Sequence, residues 1–424
     1  MKVNLGVVGF GSFSKSFIEL FLKHPDIERV VGAEFLEDRR NEVMEKYGLD
    51  AMYSSFDEMI EKDKDINCVA IFAQRHQHGP LIIKSLKAGK HVFTAVPMGC
   101  TEEEIFEIIE LVKKTRLTFM MAETCYYFPC AVFCREKFNK GEFGDFVYGE
   151  AQYYHDISAM FDSFVSQGDK WKRIAGVPPM FYSTHSVSML CSSINDYPVE
   201  VSCFGFEDNN GDGIYGKGNN NWDNPFSNET AIFKMSRGGY GRINEFRRIG
   251  TVKPSSYITG IYGKHAVYEC CGMNHLFIKG DADGQTPEVA DVSNLINCKR
   301  YVNENPGVQK GCEHWWYHEG FSEIHDTDRL PKAYKNVSEW AINSSAQISH
   351  NGSHMFLADD FVRAVLSGKL PPVNAWRAAH YTLPGIIAHE SAMQGGKTLK
   401  IPDVGEPPTD WETITYEIKD YYNI

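Results

Sequence analysis

The sequence predicts two architectures in series, an α/β domain built on a parallel sheet and an α+β domain built on a large, open, mostly antiparallel sheet. Three observations carry this reading. Between residues 3 and 122 short apolar runs alternate with helical patterns. The first run, Val3 to Val8, leads straight into the turn Gly9-Phe10-Gly11-Ser12-Phe13-Ser14. After Glu123 the strands lengthen and begin to alternate apolar with polar residues.

The elements of the first domain follow in order: a strand over 3–8, a helix over 12–23, a strand over 29–34, a helix over 37–47 and the short Met52-Tyr53. Next come the strand Cys68 to Ala73, the helix Pro80 to Ala88, the strand His91 to Thr94, the helix Glu102 to Lys114 and the strand Thr118 to Ala122. Every strand is short and apolar on both faces, as a parallel sheet covered by helices on both sides requires. The arrangement is a Rossmann-type winding over residues 1–122.

The second domain, 123–424, opens with the alternating strand Gly149 to Tyr154 and continues with a series between Val199 and Ile278. Two helices interrupt it, one from Met160 to Trp171 and one opening near His185. The polar stretch 207–225 reads as a solvated loop, since its acids do not fit the spacing of a calcium-binding loop. Little regular structure is expected over 281–352, where Trp315-Trp316-Tyr317-His318 either lines a sugar site or packs. Helices His354 to Leu366 and Asn374 to Met393 then return the chain to the first domain.

Composition excludes several classes. With 424 residues, 43% hydrophobic and 23% charged, the chain suits two globular domains. A net charge of −13 without a basic cluster argues against nucleic acid and against an anionic membrane surface. No apolar stretch approaches the length of about 18 residues that a membrane span needs. Strand residues start at position 3, leaving no room for a signal peptide, so the cytoplasm is the expected compartment. Eleven scattered cysteines with no Cys-x-x-Cys pair read as reduced core thiols, and no metal site is expected.

The glycine turn carries the first chemistry. Between a parallel strand and a helix, such a turn lets the backbone approach a pyrophosphate and directs free N–H groups at it. Ser14 stands where a third glycine is usual. The run Val30-Val31-Gly32-Ala33 ends at Glu34, 25 residues after Gly9, where a carboxylate accepts hydrogen bonds from an adenosine ribose. Glu34 favours NAD; Arg39 and Arg40 keep NADP open, and an ordinary βα turn with a surface glutamate is the bland alternative.

At Gln74-Arg75-His76-Gln77-His78 and Lys90-His91-Val92-Phe93-Thr94-Ala95-Val96-Pro97 the chain resembles the Gfo/Idh/MocA oxidoreductases over nearly its whole length. That family typically carries Glu-Lys-Pro here, with a lysine serving the substrate hydroxyl; this chain has Ala95-Val96-Pro97. Valine relays no proton, so the acid/base task is lost or moved. Three further segments are similar to the NAD-dependent α-N-acetylgalactosaminidase branch, whose motifs contain Glu-Val-Pro. They are Met121-Ala122-Glu123-Thr124-Cys125-Tyr126, Tyr153-Tyr154-His155-Asp156 and Tyr182-Ser183-Thr184-His185. Phe181 occupies the place where the wider family has an aspartate.

The resemblance implies that His185, Tyr182 and Tyr153 act in catalysis and that Glu123, His155 and Tyr154 bind substrate. It assigns Gly9, Gly11, Ser12, Phe13, Glu34, His78 and Pro97 to the cofactor. His185 is the first choice for proton transfer, because an imidazole with a pKa of about 6.5 accepts a hydroxyl proton, whereas a tyrosine at about 10 needs a cationic neighbour. His155 and Asp156, adjacent on a strand, are expected to point apart. His354 is a further candidate, with core packing as its alternative.

Two reactions stay open. One is net NAD-dependent oxidation of a secondary hydroxyl on a sugar, glycoside or cyclitol. The other is redox-neutral glycoside cleavage, in which transient C3 oxidation acidifies the C2 proton, the C1 substituent is eliminated, water adds and the hydride returns. A third reading is a catalytically inactive NAD-binding protein. The open face of the second sheet is expected to pair with another subunit, as a homodimer or homotetramer.

Overall fold

The computed structural model describes residues 2–161, 168, 170–250, 255–271, 274–280, 286–296, 337–343 and 353–416. The chain divides into two compact units. One comprises residues 1–123, 334–380 and 404–417, the other 124–333, 381–403 and 418–424.

The first unit contains β1 (Val3–Val8), α1 (Ser12–Lys23), β2 (Ile27–Ala33), α2 (Glu37–Tyr47), β3 (Ala51–Tyr53), α3 (Phe56–Lys62), β4 (Cys68–Ile71), α4 (His78–Lys87), β5 (His91–Thr94), α5 (Glu102–Thr115) and β6 (Phe119–Met121). Its six strands are parallel in the order β3-β2-β1-β4-β5-β6, so the order reverses between β1 and β4. Open α/β sheets bind ligands at that reversal, outside the carboxyl ends of the strands. The helix α5 shows why these segments are helical: Thr101 Oγ1 caps the Glu104 N–H, Glu102 to Glu104 fill the first turn, and Lys113 and Lys114 the last. The helix α3, absent from the sequence reading, is short and charged, and exists because Ser55 caps it.

The second unit contains α6 (Pro129–Asn139), β7 (Phe146–Tyr154), α7 (Trp171–Ala175), α8 (Thr184–Ile194), β8 (Pro198–Glu207), β9 (Phe226–Met235), β10 (Tyr240–Phe246), β11 (Ser255–Gly263), β12 (Ala266–Cys271), β13 (Asn274–Lys279), β14 (Glu288–Asp291) and α9 (Ser293–Ile296). The chain continues with α10 (Glu339–Asn343) and α11 (Ser353–Ser367) in the first unit, then α12 (Ala375–Met393) and β15 (Leu399–Lys400). The second sheet runs β14-β13-β12-β11-β7-β10-β9-β8-β15 and is antiparallel except for the central β7–β10 pair.

Two glycines decide how α8 meets this sheet. Gly149 and Gly241 are register partners on β7 and β10. A Cβ on either would lie 2.6 or 2.4 Å from a methyl carbon of Leu190 on α8. Their bare backbone therefore seats the helix on the sheet.

Several expectations change. Of the helix expected near Met160 to Trp171, the described residues hold a 3-10 turn at 158–161 and the start of α7 at Trp171, and residues 162–167 and 169 lie outside the described residues. The helix α6 was not foreseen; Pro129 starts it at a position that needs no N–H. The stretch 281–352 holds β14, α9 and α10 among its described residues, and Trp315 to His318 lie outside them. The 207–225 loop is internally bonded rather than merely solvated: buried Asn220 and Asn224 bond backbone groups along it, while Asp208 and Asp212 pair with Arg248. The cysteines among the described residues are free thiols, all buried except Cys271.

The core of the first unit is aromatic. Phe17 lies with its ring centroid 5.3–6.0 Å from those of Phe13, Phe21, Phe72 and Phe93, and 4.4 Å from that of His354. His354 thus packs in this core. Phe17→Ala is expected to cost about 3–5 kcal/mol of stability through lost burial and the cavity left behind, read as a lowered urea midpoint at unchanged slope.

Candidate functional site

Each unit holds one part of the predicted chemistry. In the first, Gly9 has φ +85°, and a Cβ there would meet the Phe72 carbonyl oxygen at 2.9 Å. Only glycine serves where β1 turns past the end of β4. A Cβ on Gly11 would meet nothing within 4 Å, and α1 starts without a side-chain cap or a first-turn acid. The N–H groups of Ser12 and Phe13 therefore belong to a helix start suited to an anion. Ser14 is buried and donates to the Gly11 carbonyl at 2.8 Å, holding the turn from within. The Phe13 ring packs into the aromatic core, 6.0 Å from Phe72 and 5.4 Å from His354.

Glu34 follows β2 with its carboxylate nearly fully buried. Oε2 accepts the Phe10 N–H and Oε1 the Leu36 N–H, each at 3.1 Å. The acid is thereby fixed against the glycine turn. Arg39 approaches Oε2 at 3.6 Å, while one Arg40 nitrogen donates to the carbonyls of Glu34 and Phe35 at 2.8 and 2.9 Å. Arg40, read from the sequence as a phosphate candidate, is committed to backbone. Beside this turn a cavity of about 200 Å³ is lined by Phe10, Gly11, Ser12, Lys15 and Arg39, among others.

His78, the first residue of α4, is 1% exposed. Its Nδ1 lies 2.7 Å from the Pro97 carbonyl oxygen and its Nε2 2.9 Å from that of Ala73. The ring ties the exit of β4 to the loop after β5, and its role is positioning. Burial pushes the imidazole down to about 4 against the opposing pull of the two carbonyls, so the ring is neutral and donates to one of them. Pro97 follows a cis peptide bond, and Ala95 and Val96 are buried beside it. Glu123 is fully buried just past β6, its N–H bonded to the Met121 carbonyl.

In the second unit Tyr153, His155, Tyr182 and His185 come together. Ring centroids are 5.4 Å apart for Tyr153 and Tyr182, 5.1 Å for Tyr153 and His185, and 4.9 Å for Tyr182 and His185. The Tyr153 hydroxyl lies 3.1 Å from His155 Nδ1. Burial raises the Tyr153 hydroxyl well above the usual phenol range; Tyr182 adds to the shift, and Arg247 opposes it. Tyr153 therefore stays protonated at neutral pH and keeps a hydroxyl proton available for hydrogen bonding. Asp156 turns elsewhere, accepting the N–H groups of Ser158 and Ile249 at 2.9 and 3.0 Å.

Tyr154 is not brought to this group. It lies on the opposite face of β7, stacked on Phe246 at 5.0 Å, with its hydroxyl donating to Gln152. The carbohydrate contact expected of Tyr154 has no partner among the four clustered residues, because strand parity turns successive side chains apart.

The sequence reading missed the residues that position this group. The Arg247 guanidinium carbon lies 4.7 Å from the Tyr153 ring centroid and 4.8 Å from that of Tyr182. Fully buried Glu245 holds Arg247 at 2.9 Å and accepts the Ser186 hydroxyl from α8. Directly opposite Glu245 in the ladder is buried Glu229. Glu229 accepts the Met180 N–H and the His389 Nδ1–H, each at 2.8 Å, anchoring the 3-10 turn Pro179–Tyr182 that presents Tyr182. Gly385 completes the seat, since a Cβ there would lie 2.0 Å from the Met180 carbonyl oxygen. The signal for both acids was parity: Glu229 alternates with Ala231 and Phe233, and Glu245 with Gly241 and Ile243, all inward-facing.

Comparison with known proteins bears on the first unit and on the fold as a whole. Residues 3–123 match the family model described as oxidoreductase family, NAD-binding Rossmann fold. An alpha-N-acetylgalactosaminidase of Bacteroides fragilis is 31% identical over 142 residues, 32% of this chain and 33% of that protein. The chain thus spans about a third of the length of that relative. A glycosyl hydrolase family 109 protein of Streptomyces niveus is 20% identical over 425 residues, covering 95% of this chain and 77% of that protein. Among solved structures, levoglucosan dehydrogenase in complex with NADH and levoglucosan shares the fold with a TM-score of 0.68 at 18% identity, over 95% of this chain and 100% of that one. Among the described residues no helix is long and apolar enough to cross a membrane.

The depressed His78 imidazole makes a pH prediction. In the unfolded chain the ring binds a proton near its ordinary 6.5, in the folded chain only near 4, so the unfolded state holds more protons between those values. Stability is expected to fall by up to about 3 kcal/mol as pH drops through that window, and His78→Gln to flatten the slope of urea stability against pH.

Proposed function

We propose that the protein, whose residues 3–123 match the Gfo/Idh/MocA oxidoreductase family model, is an NAD-dependent enzyme acting on a secondary hydroxyl of a sugar, glycoside or cyclitol. The observation that carries the proposal is the cluster of Tyr153, Tyr182, His155 and His185 around a clamped arginine. Aromatic faces suit the C–H faces of a sugar ring, and the hydroxyl and imidazole groups suit its oxygens. Bound NAD supplies the hydride acceptor. His185 accepts the proton of the reacting hydroxyl, and Tyr153 and Tyr182 donate hydrogen bonds to the sugar oxygens. Arg247 fixes the two tyrosine rings and offsets negative charge that develops beside them. Val96 leaves the proton work to this cluster. Glu34, with its preference for a free ribose, favours NAD over NADP.

A second reading is favoured by the number of proton-handling groups and by the alpha-N-acetylgalactosaminidase and glycosyl hydrolase family 109 relatives. A simple alcohol oxidation needs one base. Removing a C2 proton, assisting a leaving group at C1 and delivering water need more, so the same cluster supports redox-neutral glycoside cleavage. The self-association expected of the open sheet is supported by Phe204, Phe206 and Tyr240, each more than half exposed on its β8 and β10 strands.

The deciding experiment is a cofactor inventory with a coupled assay. Purified protein is denatured to quantify released NAD(H), and native protein is offered aryl glycosides, free sugars and cyclitols while reduced nicotinamide and aglycone are followed together. Reduced nicotinamide in proportion to sugar consumed supports net oxidation; aglycone release without it supports cleavage. Neither signal from protein that binds NAD refutes both. His185→Ala is expected to lower turnover at least about a hundredfold with NAD affinity unchanged. Glu34→Ala is expected to weaken NAD more than NADP in calorimetric titrations, and equal losses would remove Glu34 from the ribose.

A further inference from the structure

We propose that Arg248 is a positioning residue for the clustered side chains: it couples the 207–225 loop to Arg247, and through Arg247 to Tyr153 and Tyr182. The inference rests on the reading that this cluster carries the chemistry, and it gives a role to a loop that the reading leaves unused. Arg247 and Arg248 are neighbours just past the end of β10, and each is gripped by two rings and by acid. The Arg247 guanidinium carbon lies 4.7 and 4.8 Å from the Tyr153 and Tyr182 ring centroids, with Glu245 at 2.9 Å. That of Arg248 lies 4.9 Å from Phe161 and 5.1 Å from Tyr215, and its nitrogens pair with Asp208 at 2.6 Å and with Asp212. The Arg248 and Asp208 side chains are 8% and 5% exposed, so this is a buried pair whose geometry is costly to lose.

One backbone junction carries both grips. Asn228 Oδ1 accepts the N–H groups of Arg247 and Arg248 at 2.9 and 3.0 Å, and its Nδ2 donates to the Arg248 carbonyl at 2.9 Å. The Ile157 N–H bonds the Arg247 carbonyl at 2.9 Å and Asp156 accepts the Ile249 N–H at 3.0 Å, so the chain just past His155 is tied to the same junction. A displacement of Arg248 is passed to Arg247 through this pinned backbone. The loop on the far side is itself stiff. Arg173 of α7 donates to Asn221 Oδ1 at 3.0 Å and to the Gly218 carbonyl at 3.2 Å, and Lys172 donates to the Asp212 carbonyl at 2.6 Å. Trp222 meets the ring of Phe181, the neighbour of Tyr182, edge-on at 6.3 Å. The loop therefore reaches the tyrosine pair by two routes, Arg248 and Trp222. Arginine suits the first because its planar fork spans two acids, whereas a lysine keeps the charge without the fork.

Arg248→Lys in the full chain, with 3-fluorotyrosine placed at position 182, tests the coupling by fluorine NMR and by turnover. The fluorine resonance is expected to move in the same direction as in Arg247→Lys, and kcat to fall about tenfold with KM and NAD affinity within about twofold of the parent. In an Arg247→Lys background the Arg248→Lys change should have no further effect on kcat, because it acts through the residue already altered. In active protein, a parent-like fluorine resonance or a parent-like kcat overturns the proposal, as do losses that multiply in the double variant. Should Arg248→Lys fail to fold, Asp212→Asn decides by the same measurements, since it keeps an acceptor for the Ile214 N–H and loosens only the outer acid. A parent protein that turns over no sugar, glycoside or cyclitol with NAD refutes the functional reading, and the fluorine resonance alone then decides the coupling.

Discussion

Two buried carboxylates placed side by side are the constraint around which the second unit is arranged. Glu229 and Glu245 sit opposite one another on neighbouring strands, both turned inward. Like charges so placed repel, and each alone would be costly to bury. The fold answers each with its own set of donors. Glu245 receives Arg247 and Ser186; Glu229 receives His389 and the Met180 backbone. Three of those donors come from the turn at 179–182, from α8 and from α12, so compensating the acids also fixes the segment that carries Tyr182 and His185. Electrostatic satisfaction and placement of Tyr182 and His185 are one event.

The first unit solves a different problem with the opposite means. There the backbone must stay open to an anionic ligand, and it does so through absence: no side chain on Gly9 or Gly11, no cap on α1, no acid in its first turn. The polar side chains nearby look to backbone. Glu34 holds two N–H groups, Arg40 two carbonyls, and His78 bridges two loop carbonyls. Rigidity of the loops at the carboxyl ends of the strands therefore comes in part from these backbone-directed side chains.

Much of this was legible because period and parity are local properties. The alternation over 3–122 gave the parallel sheet with element limits within a few residues, and α1, α2, α5 and α11 follow their apolar patterns closely. Short motifs located the Tyr153, Tyr182 and His185 group, whose members are distant in sequence. What escaped depended on pairing. Arg247 and Glu245 acquire meaning only when β10 lies beside β7 in parallel, a register no single segment encodes. Tyr154 was grouped with its motif neighbours, although strand parity sends it to the other face. Arg40 looked like a phosphate ligand because its carbonyl partners belong to a turn that a sequence does not display.

The glycine pair Gly149 and Gly241 has a consequence for how such a protein can change. Because Leu190 rests directly on bare backbone, the spacing between the helical layer and the sheet is set by two missing methyl groups. Tyr182 and His185 ride at the amino end of that helix, whereas Tyr153 and Arg247 are fixed to the sheet and its continuation. An apolar side chain gained at either glycine would lift one pair of clustered side chains from the other while altering no charge and no hydrogen-bonding atom. The distance between the two pairs of clustered side chains is thus inherited as a layer thickness, a mechanical dimension of the scaffold that substitutions within the cluster itself do not reach.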